Sequence, residues 1–357
     1  METFPEMFPS RKFGRKETRR MTIKDIAKLC SVSVSTVSRV LNDRPDVSED
    51  VRRKVLSAIK DSNYIPNNSA RDLVRTKSDA IGLVVRGVSN PFYTDIIRAI
   101  ESTVTQAGFT LVMQQIAACD DEVKCGAVME REKRLRGIIF LGGQFDYTPA
   151  DLALLNVPFV CCSYSNRYGT LAEGEYSSVS IADEETAREA VRELYRYGHR
   201  RIAALISRPD DQSISQLRYE GYVSALEELG LPFDPELVIS TGGFNIKDAY
   251  NAVSEKLHQG AEFTALFAIA DSMAIGAMRA LLDAGRAVPR DCSVIAIDGL
   301  ELSEYIEPPL TTLCQPMEEL GRRSAEILLD MVQHKASHAC EVLPTTLRQG
   351  RSVATVG

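Results

Sequence analysis

Val34, Ser35, Ser38 and Arg39 fall on one side of a short segment whose other side is apolar, Val37, Val40 and Leu41. Small side chains let a helix sit deep in the ~12 Å major groove of duplex DNA, and an arginine among them can reach guanine or phosphate. A second set of polar groups stands where apolar strand-like runs end. Asn90, Phe92 and Tyr93 follow Ile81–Val85, and Asp298 closes Val294–Ile297. An aromatic there can stack on a sugar or base face while an asparagine donates and accepts. A carboxylate that ends an apolar strand is costly unless it binds something. The plainer alternative is open for each: Phe92 also reads as the first core residue of the helix that follows.

The first set needs a compact support. Thr22 and Asp25 are spaced as a variant capping box, and Ile23, Ile26, Ala27 and Cys30 form one apolar stripe. Ser31-Val32-Ser33 breaks this helix, and Ser33 caps a second, Val34 to Leu41. Ser48 is placed to cap a third, with Glu49 and Asp50 in its first turn and a stripe of Val51, Val55, Ala58 and Ile59. Two short helices joined by a tight turn and braced by a third make a helix-turn-helix; a plain three-helix bundle fits the same pattern. Pro66 suits the start of a helix of about two turns through Leu73, too short to hold without packing or DNA.

The second set needs a sheet. From Ala80 onward, apolar strands (Ile81–Val85, Leu111–Gln114, Gly137–Leu141, Phe159–Cys162, Ile202–Ile206, Leu237–Ser240, Ala265–Ile269, Val294–Ile297) alternate with amphipathic helices such as 92–107, 184–197, 215–229 and 247–260. That order predicts an α/β fold of two doubly wound parallel-sheet subdomains. Ligands then bind in the cleft at the strand C-termini.

The 357 residues carry a net charge of −7, distributed unevenly. Residues 1–78 sum to +7 and the remainder to −14. A basic head on an acidic body suits a phosphate-binding module on a soluble receptor, although a solvated basic terminus reads the same way. Residues 1–20, with six Lys/Arg, read as a disordered basic extension. No apolar run approaches ~18 residues and no secretory signal precedes the head, so the expected location is cytoplasmic. The eight cysteines and four histidines show no metal-ligand spacing. No metal or cofactor is expected. Neither a Gly-rich dinucleotide loop nor a phosphate-loop motif follows the first strand, which argues against an enzyme.

The run from Thr22 to Asn42, with Tyr64-Ile-Pro-Asn67 and Ala70-Arg-Asp-Leu73, resembles the head of the LacI/GalR family of bacterial transcriptional regulators. The body resembles the family's core and the periplasmic sugar-binding proteins. The matching segments include Ser89-Asn-Pro-Phe-Tyr93, Gly198-His-Arg-Arg-Ile202, Arg218-Tyr-Glu-Gly-Tyr222, Asp271-Ser-Met-Ala-Ile-Gly276 and Pro308-Pro-Leu-Thr-Thr312. The resemblance implies a repressor that binds a palindromic DNA operator as a homodimer under control of a small-molecule effector, a sugar or sugar derivative. It implies DNA contacts from Thr22, Val34, Ser35, Thr36, Ser38, Arg39, Asn42, Tyr64, Asn67, Ala70 and Leu73, the last wedged into the minor groove. It implies effector contacts from Asn90, Phe92, Tyr93, Asn166, Arg218, Phe244, Asp298 and Gln315. Asp271, followed by Ser272-Met273, reads instead as the cap of its own helix.

The implied domains are a helix-turn-helix domain at 21–65, a hinge at 66–78 and an effector-binding and dimerisation domain at 79–357. In that last domain the N-subdomain takes about 79–176 plus 314–338 and the C-subdomain about 177–311 plus 340–357. Thr311 to Pro316 is expected to cross back between subdomains, and Val342 onward to return to the second. Three departures from the family pattern stand out: Ser31 for a turn glycine, Ala270 for asparagine, and Ser163-Tyr164 for Asp-Arg. The last two remove polar grips and imply a differently decorated effector.

Overall fold

The computed structural model describes residues 21–62 except 42, 43 and 45. It also describes 79–356 except 88–90, 118, 145, 165, 173, 209–211 and 335. The chain divides into two compact units, 1–76 and 77–357.

In the first unit, helices α1 (Ile23–Cys30), α2 (Val34–Leu41) and α3 (Glu49–Asp61) close on Ile26, Ala27, Cys30, Val37, Val40 and Val55. The Thr22 and Asp25 capping box forms as the spacing predicts, with the Thr22 N–H and hydroxyl donating to the Asp25 carboxylate at 2.9 and 2.6 Å. Ser33 caps α2 by accepting the Thr36 N–H at 3.1 Å. Ser48 occupies the cap position of α3, but its hydroxyl accepts no helix N–H; only its carbonyl takes the Arg52 N–H, at 3.0 Å. Ser31 adopts φ 54°, ψ 42°, the left-handed turn where glycine would be free of strain.

The second unit holds two six-stranded sheets. The first is built from β1 (Ala80–Arg86), β2 (Thr110–Ile116), β3 (Gly137–Leu141), β4 (Phe159–Cys162), β5 (Ser178–Ile181) and β11 (Cys340–Leu343), in the order β11-β5-β4-β3-β1-β2. The second takes β6 (Ile202–Ile206), β7 (Val238–Ser240), β8 (Ala265–Ala268), β9 (Ser293–Asp298), β10 (Thr311–Cys314) and β12 (Thr346–Arg348), in the order β12-β10-β9-β8-β6-β7. All neighbours run parallel except β12 on β10.

Around the first sheet lie α4 (Tyr93–Gln106), α5 (Glu122–Lys133), α6 (Pro149–Leu152) and α11 (Met317–His334). Around the second lie α7 (Asp183–Arg196), α8 (Ile214–Glu228), α9 (Ile246–His258) and α10 (Asp271–Asp283). The central strands β1, β3, β4, β6, β8 and β9 are buried along nearly their whole length, which explains their near-continuous apolar runs. The helices pair closely: a Cβ at Gly221 of α8 would come 2.2 Å from the Glu184 carbonyl of α7. Gly276 of α10 stands in the same relation to Ile246 of α9, at 2.3 Å.

The three chain crossings differ from the sequence-based boundaries. Ser178–Ile181, assigned to the C-subdomain from 177, pairs with β4 in the first sheet through Cys161 and Ser178. Its alternating serines hide a strand that is nonetheless buried throughout. Cys340–Leu343 likewise joins the first sheet against β5, so the return comes at Thr346 and not at Val342. Thr311–Cys314 does not cross; it pairs with β9, and the crossing falls at Gln315-Pro316. The subdomains also touch: Leu300 packs in the first subdomain's core, and Leu217 of α8 joins a cluster with Tyr147 and Tyr164.

Candidate functional sites

The solvent side of α2 is built by exclusion. Val37 and Val40 are buried, which turns Val34, Ser35 and Arg39 outward and leaves Thr36 and Ser38 half-buried. Val34, 41% exposed, is an apolar surface residue with no core to serve. Hydroxyls crowd the start of the helix, where Ser33 Oγ lies 2.7 Å from Ser35 Oγ and 2.8 Å from Thr36 Oγ1. Arg39 stands at the other end, its guanidinium 3.4 Å from Asp46 with both side chains exposed. Such a pair is worth at most about 1 kcal/mol, so a phosphate or guanine can take the arginine over. Thr22 spends its hydroxyl on the α1 cap. Asn42, Tyr64, Asn67, Ala70 and Leu73 lie outside the described residues, as does Asn90.

In the body, the strand ends converge on a buried polar cluster. Asp298, last residue of β9, is 2% exposed and takes φ 135°, a backbone region that costs a non-glycine residue about 1–3 kcal/mol. Its Oδ1 accepts from Gln315 Nε2 at 2.8 Å and Arg218 Nη1 at 3.3 Å. Arg218, 1% exposed on α8, donates its Nε to Asp183 Oδ1 at 2.8 Å and its Nη1 to the Ile269 carbonyl. Burial pushes Asp298 up to about 7, with Arg218 pulling down and Asp271 pushing up. Burial raises Asp183 too, against the same arginine. Burial alone would lower Arg218, but the two carboxylates hold it above its ordinary value. Gln315 Oε1 is buried and accepts no hydrogen bond among the described residues. A buried acceptor without a donor is uncommon in folded proteins and calls for an explanation such as a ligand.

The strain at Asp298 is held from behind. Asp271 does not cap its own helix as expected; Ala270 is the cap residue. The Asp271 Oδ2 accepts the N–H groups of Gly299 and Leu300 at 3.1 and 2.8 Å and the Ser303 hydroxyl at 2.9 Å. Its Oδ1 accepts from Thr312 Oγ1 at 2.5 Å. These bonds pin the turn that follows Asp298.

Tyr93 approaches the same cluster from the first subdomain. Half-buried, it sets its hydroxyl where a Cβ on Gly142 would lie, 2.5 Å away. Burial, Asp298 and Cys162 push its phenol up to about 12, against Arg86 and Arg218. Phe92 does not join it. At 2% exposure it packs with Ile81, Leu83 and Ile96, the core role left open for it. Asn166 is also a correction: its Oδ1 accepts the Tyr147 N–H at 2.8 Å and its Nδ2 donates to the Tyr147 carbonyl at 3.2 Å, so the amide clamps a loop. Phe244 rests half-buried on the second core, its carbonyl accepting the Ser272 hydroxyl at 2.7 Å.

Sequence reasoning missed Asp183, Arg86 and Glu122. Asp183 and Glu122 look like ordinary acids of a helix first turn, and only the fold shows both to be buried. Among the described residues no group of three His, Cys, Asp or Glu is arranged to hold a metal. None of their helices is long and apolar enough to cross a membrane.

Comparison with known proteins agrees with this arrangement. Residues 22–67 match the model of bacterial regulatory proteins of the lacI family, and residues 191–353 that of a periplasmic binding protein-like domain. The chain is 40% identical to the HTH-type transcriptional regulator MalR of Clostridium butyricum over 331 residues, 92% of this chain and 97% of that protein. Among solved structures, the lac repressor dimer bound to operator and the anti-inducer ONPF superposes with TM-score 0.76, at 28% identity over 94% of this chain and all of that one. The complex of the transcriptional regulator CelR with cellobiose superposes with TM-score 0.69, at 31% identity over 93% of this chain and all of that one.

Proposed function

The chain belongs to the lacI family of bacterial regulatory proteins, and from that premise we propose a repressor that binds a palindromic operator as a homodimer and answers to a small carbohydrate effector. The α2 face supplies base and phosphate contacts, with Val34, Ser35 and Arg39 leading. The effector sits at the strand C-termini against Tyr93, Arg218, Asp298 and Gln315. One observation carries the effector reading: Asp298 is strained, buried and shared between Arg218 and Gln315, while Gln315 Oε1 has no donor among the described residues. Stability alone does not explain such a cluster, because apolar residues of similar volume often replace buried ion pairs at no loss. A polyhydroxylated ligand completes it, each hydroxyl both donating and accepting. Effector binding shifts the balance between subdomain arrangements and so the separation of two heads on the operator.

The test is Asp298→Ala in the full-length chain, with an operator obtained by selection from random DNA. Sugar-dependent change in operator affinity is expected to vanish, with sugar-free affinity kept within about threefold of wild type. An undiminished sugar response would remove Asp298 from the effector site. Failure to enrich any palindrome would refute the operator reading.

A further inference from the structure

Val34 is the apolar side chain of α2 that the fold leaves outside the head's core. It is 41% exposed, whereas Val37 and Val40 are buried and Leu41 packs on their cluster. Among the described residues that cluster also draws in Val32 and Val47 from the flanking turns, yet not Val34. A valine left in water forgoes the stabilisation that burial would give. Nor does local structure ask for it, because valine is a poorer helix former than alanine. The stability of the head therefore does not explain this residue.

Its neighbours are polar, and their hydrogen-bonding groups are already engaged. Ser33 Oγ accepts the Thr36 N–H at 3.1 Å and lies 2.7 and 2.8 Å from the Ser35 and Thr36 hydroxyls. Arg39 is paired with Asp46 at 3.4 Å. A base edge that takes one of these groups exchanges one hydrogen bond for another, at a modest net gain. Val34 has nothing to exchange. What it can discriminate is apolar surface, and on the base edges of the major groove that surface is the 5-methyl group of thymine. Val34 is the first residue of α2, and the N-terminal residues of a recognition helix are the ones that reach base edges. Its branched side chain keeps one strongly preferred rotamer in a helix, so little freedom is lost on contact. The surroundings suit a polyanion: residues 1–78 sum to +7, and Arg39 stands on the same side of the helix.

Building on the operator reading above, we propose that Val34 reads the 5-methyl group of one pyrimidine in each half-site, thymine or 5-methylcytosine alike. The contact takes no hydrogen bond from the base, so it does not register whether a carbonyl or an amino group stands beside the methyl. A site with cytosine at that position gains affinity when the cytosine is methylated.

Fluorescence anisotropy with the full-length protein and the selected palindrome tests this. Each thymine is replaced in turn, in both half-sites, by deoxyuridine, which removes only the methyl. One symmetric pair is expected to lose about 15-fold in affinity, about fourfold for each buried methyl. Val34→Ala is expected to bind the thymine and deoxyuridine operators within twofold of each other, and to melt with the wild type because the side chain serves no core. With cytosine at that pair, conversion to 5-methylcytosine is expected to strengthen wild-type binding by about the same factor and to leave Val34→Ala unmoved. A deoxyuridine effect undiminished in Val34→Ala, or no thymine whose methyl matters, overturns the Val34 contact while the operator reading stands. A methyl effect seen with thymine and absent with 5-methylcytosine overturns the shared recognition. A selection that enriches no palindrome overturns the operator reading, and this proposal with it.

Discussion

Arg39 illustrates what a single residue can reveal. Its neighbours at 37 and 40 are buried, so helical geometry alone turns it outward, and the sequence pattern placed it correctly. Its ion pair with Asp46 was not visible there, because the partner comes from a turn beyond the helix. Arg39→Ala removes a cation from the DNA-facing side. Operator affinity is expected to fall about 10-fold or more, with the slope of log affinity against log salt flattened by about one unit, measured by fluorescence anisotropy across salt concentrations. An unchanged slope would show that Arg39 does not contact phosphate. Phe92 and Asn166 show the converse. Each sits at a strand end where ligand contacts are usual, yet one turned into the core and the other onto the Tyr147 backbone. Position along the chain gives a strand end; only packing decides which way a side chain turns there.

At the scale of elements, helix pairs govern how the cleft walls are held. Gly221 lies within van der Waals exclusion of the Glu184 carbonyl, so α7 and α8 approach as closely as backbones allow. That matters because α8 carries Arg218 and α7 opens with Asp183, the two partners of a 2.8 Å ion pair. Gly221→Ala is expected to destabilise the body by about 1–3 kcal/mol through overpacking, seen as a lower urea midpoint. It is also expected to weaken sugar binding by separating Arg218 from Asp183. A wild-type midpoint would mean that the helices part at no cost. Most elements were legible because long apolar runs and strong periodicity set them. The short strands β5 and β11 were not. Ser178–Ile181 alternates serine with apolar residues, and Cys340–Leu343 is an edge strand with half its residues exposed. Both take their sheet from their neighbours and not from their own composition.

At the scale of the whole molecule, the body stores charge that titrates near neutrality. Burial pushes Asp298 and Glu122 each up to about 7, well above their unfolded values. The folded state therefore holds more protons than the unfolded one between about pH 4 and 7. Stability drawn from these groups is full below their unfolded values and is lost as pH rises through about 7. Comparing wild type with Asp298→Asn/Glu122→Gln isolates their share from that of other carboxylates. The wild type is expected to lose stability relative to the variant as pH rises from 5 to 8, by up to about 1.4 kcal/mol per pH unit for each group. Parallel melting-temperature profiles for the two proteins would refute it.

The sequence by itself determined the helix-turn-helix head, the basic-to-acidic division of charge, the two parallel-sheet subdomains and the strand ends where Tyr93 and Asp298 stand. Those features follow from period, capping and local burial, which neighbouring residues encode. Tertiary structure alone decided which strand joins which sheet, that Asp271 braces the turn behind Asp298, and that Arg86 is backed by a buried Glu122. Each of these depends on groups 28 or more residues apart. Val34, Ser35 and Arg39 of α2 stayed outward as the pattern said, with Ser38 half-buried, because that face rests only on contacts within one small unit. The cleft changed more, because every polar group in it draws its environment from several distant elements at once.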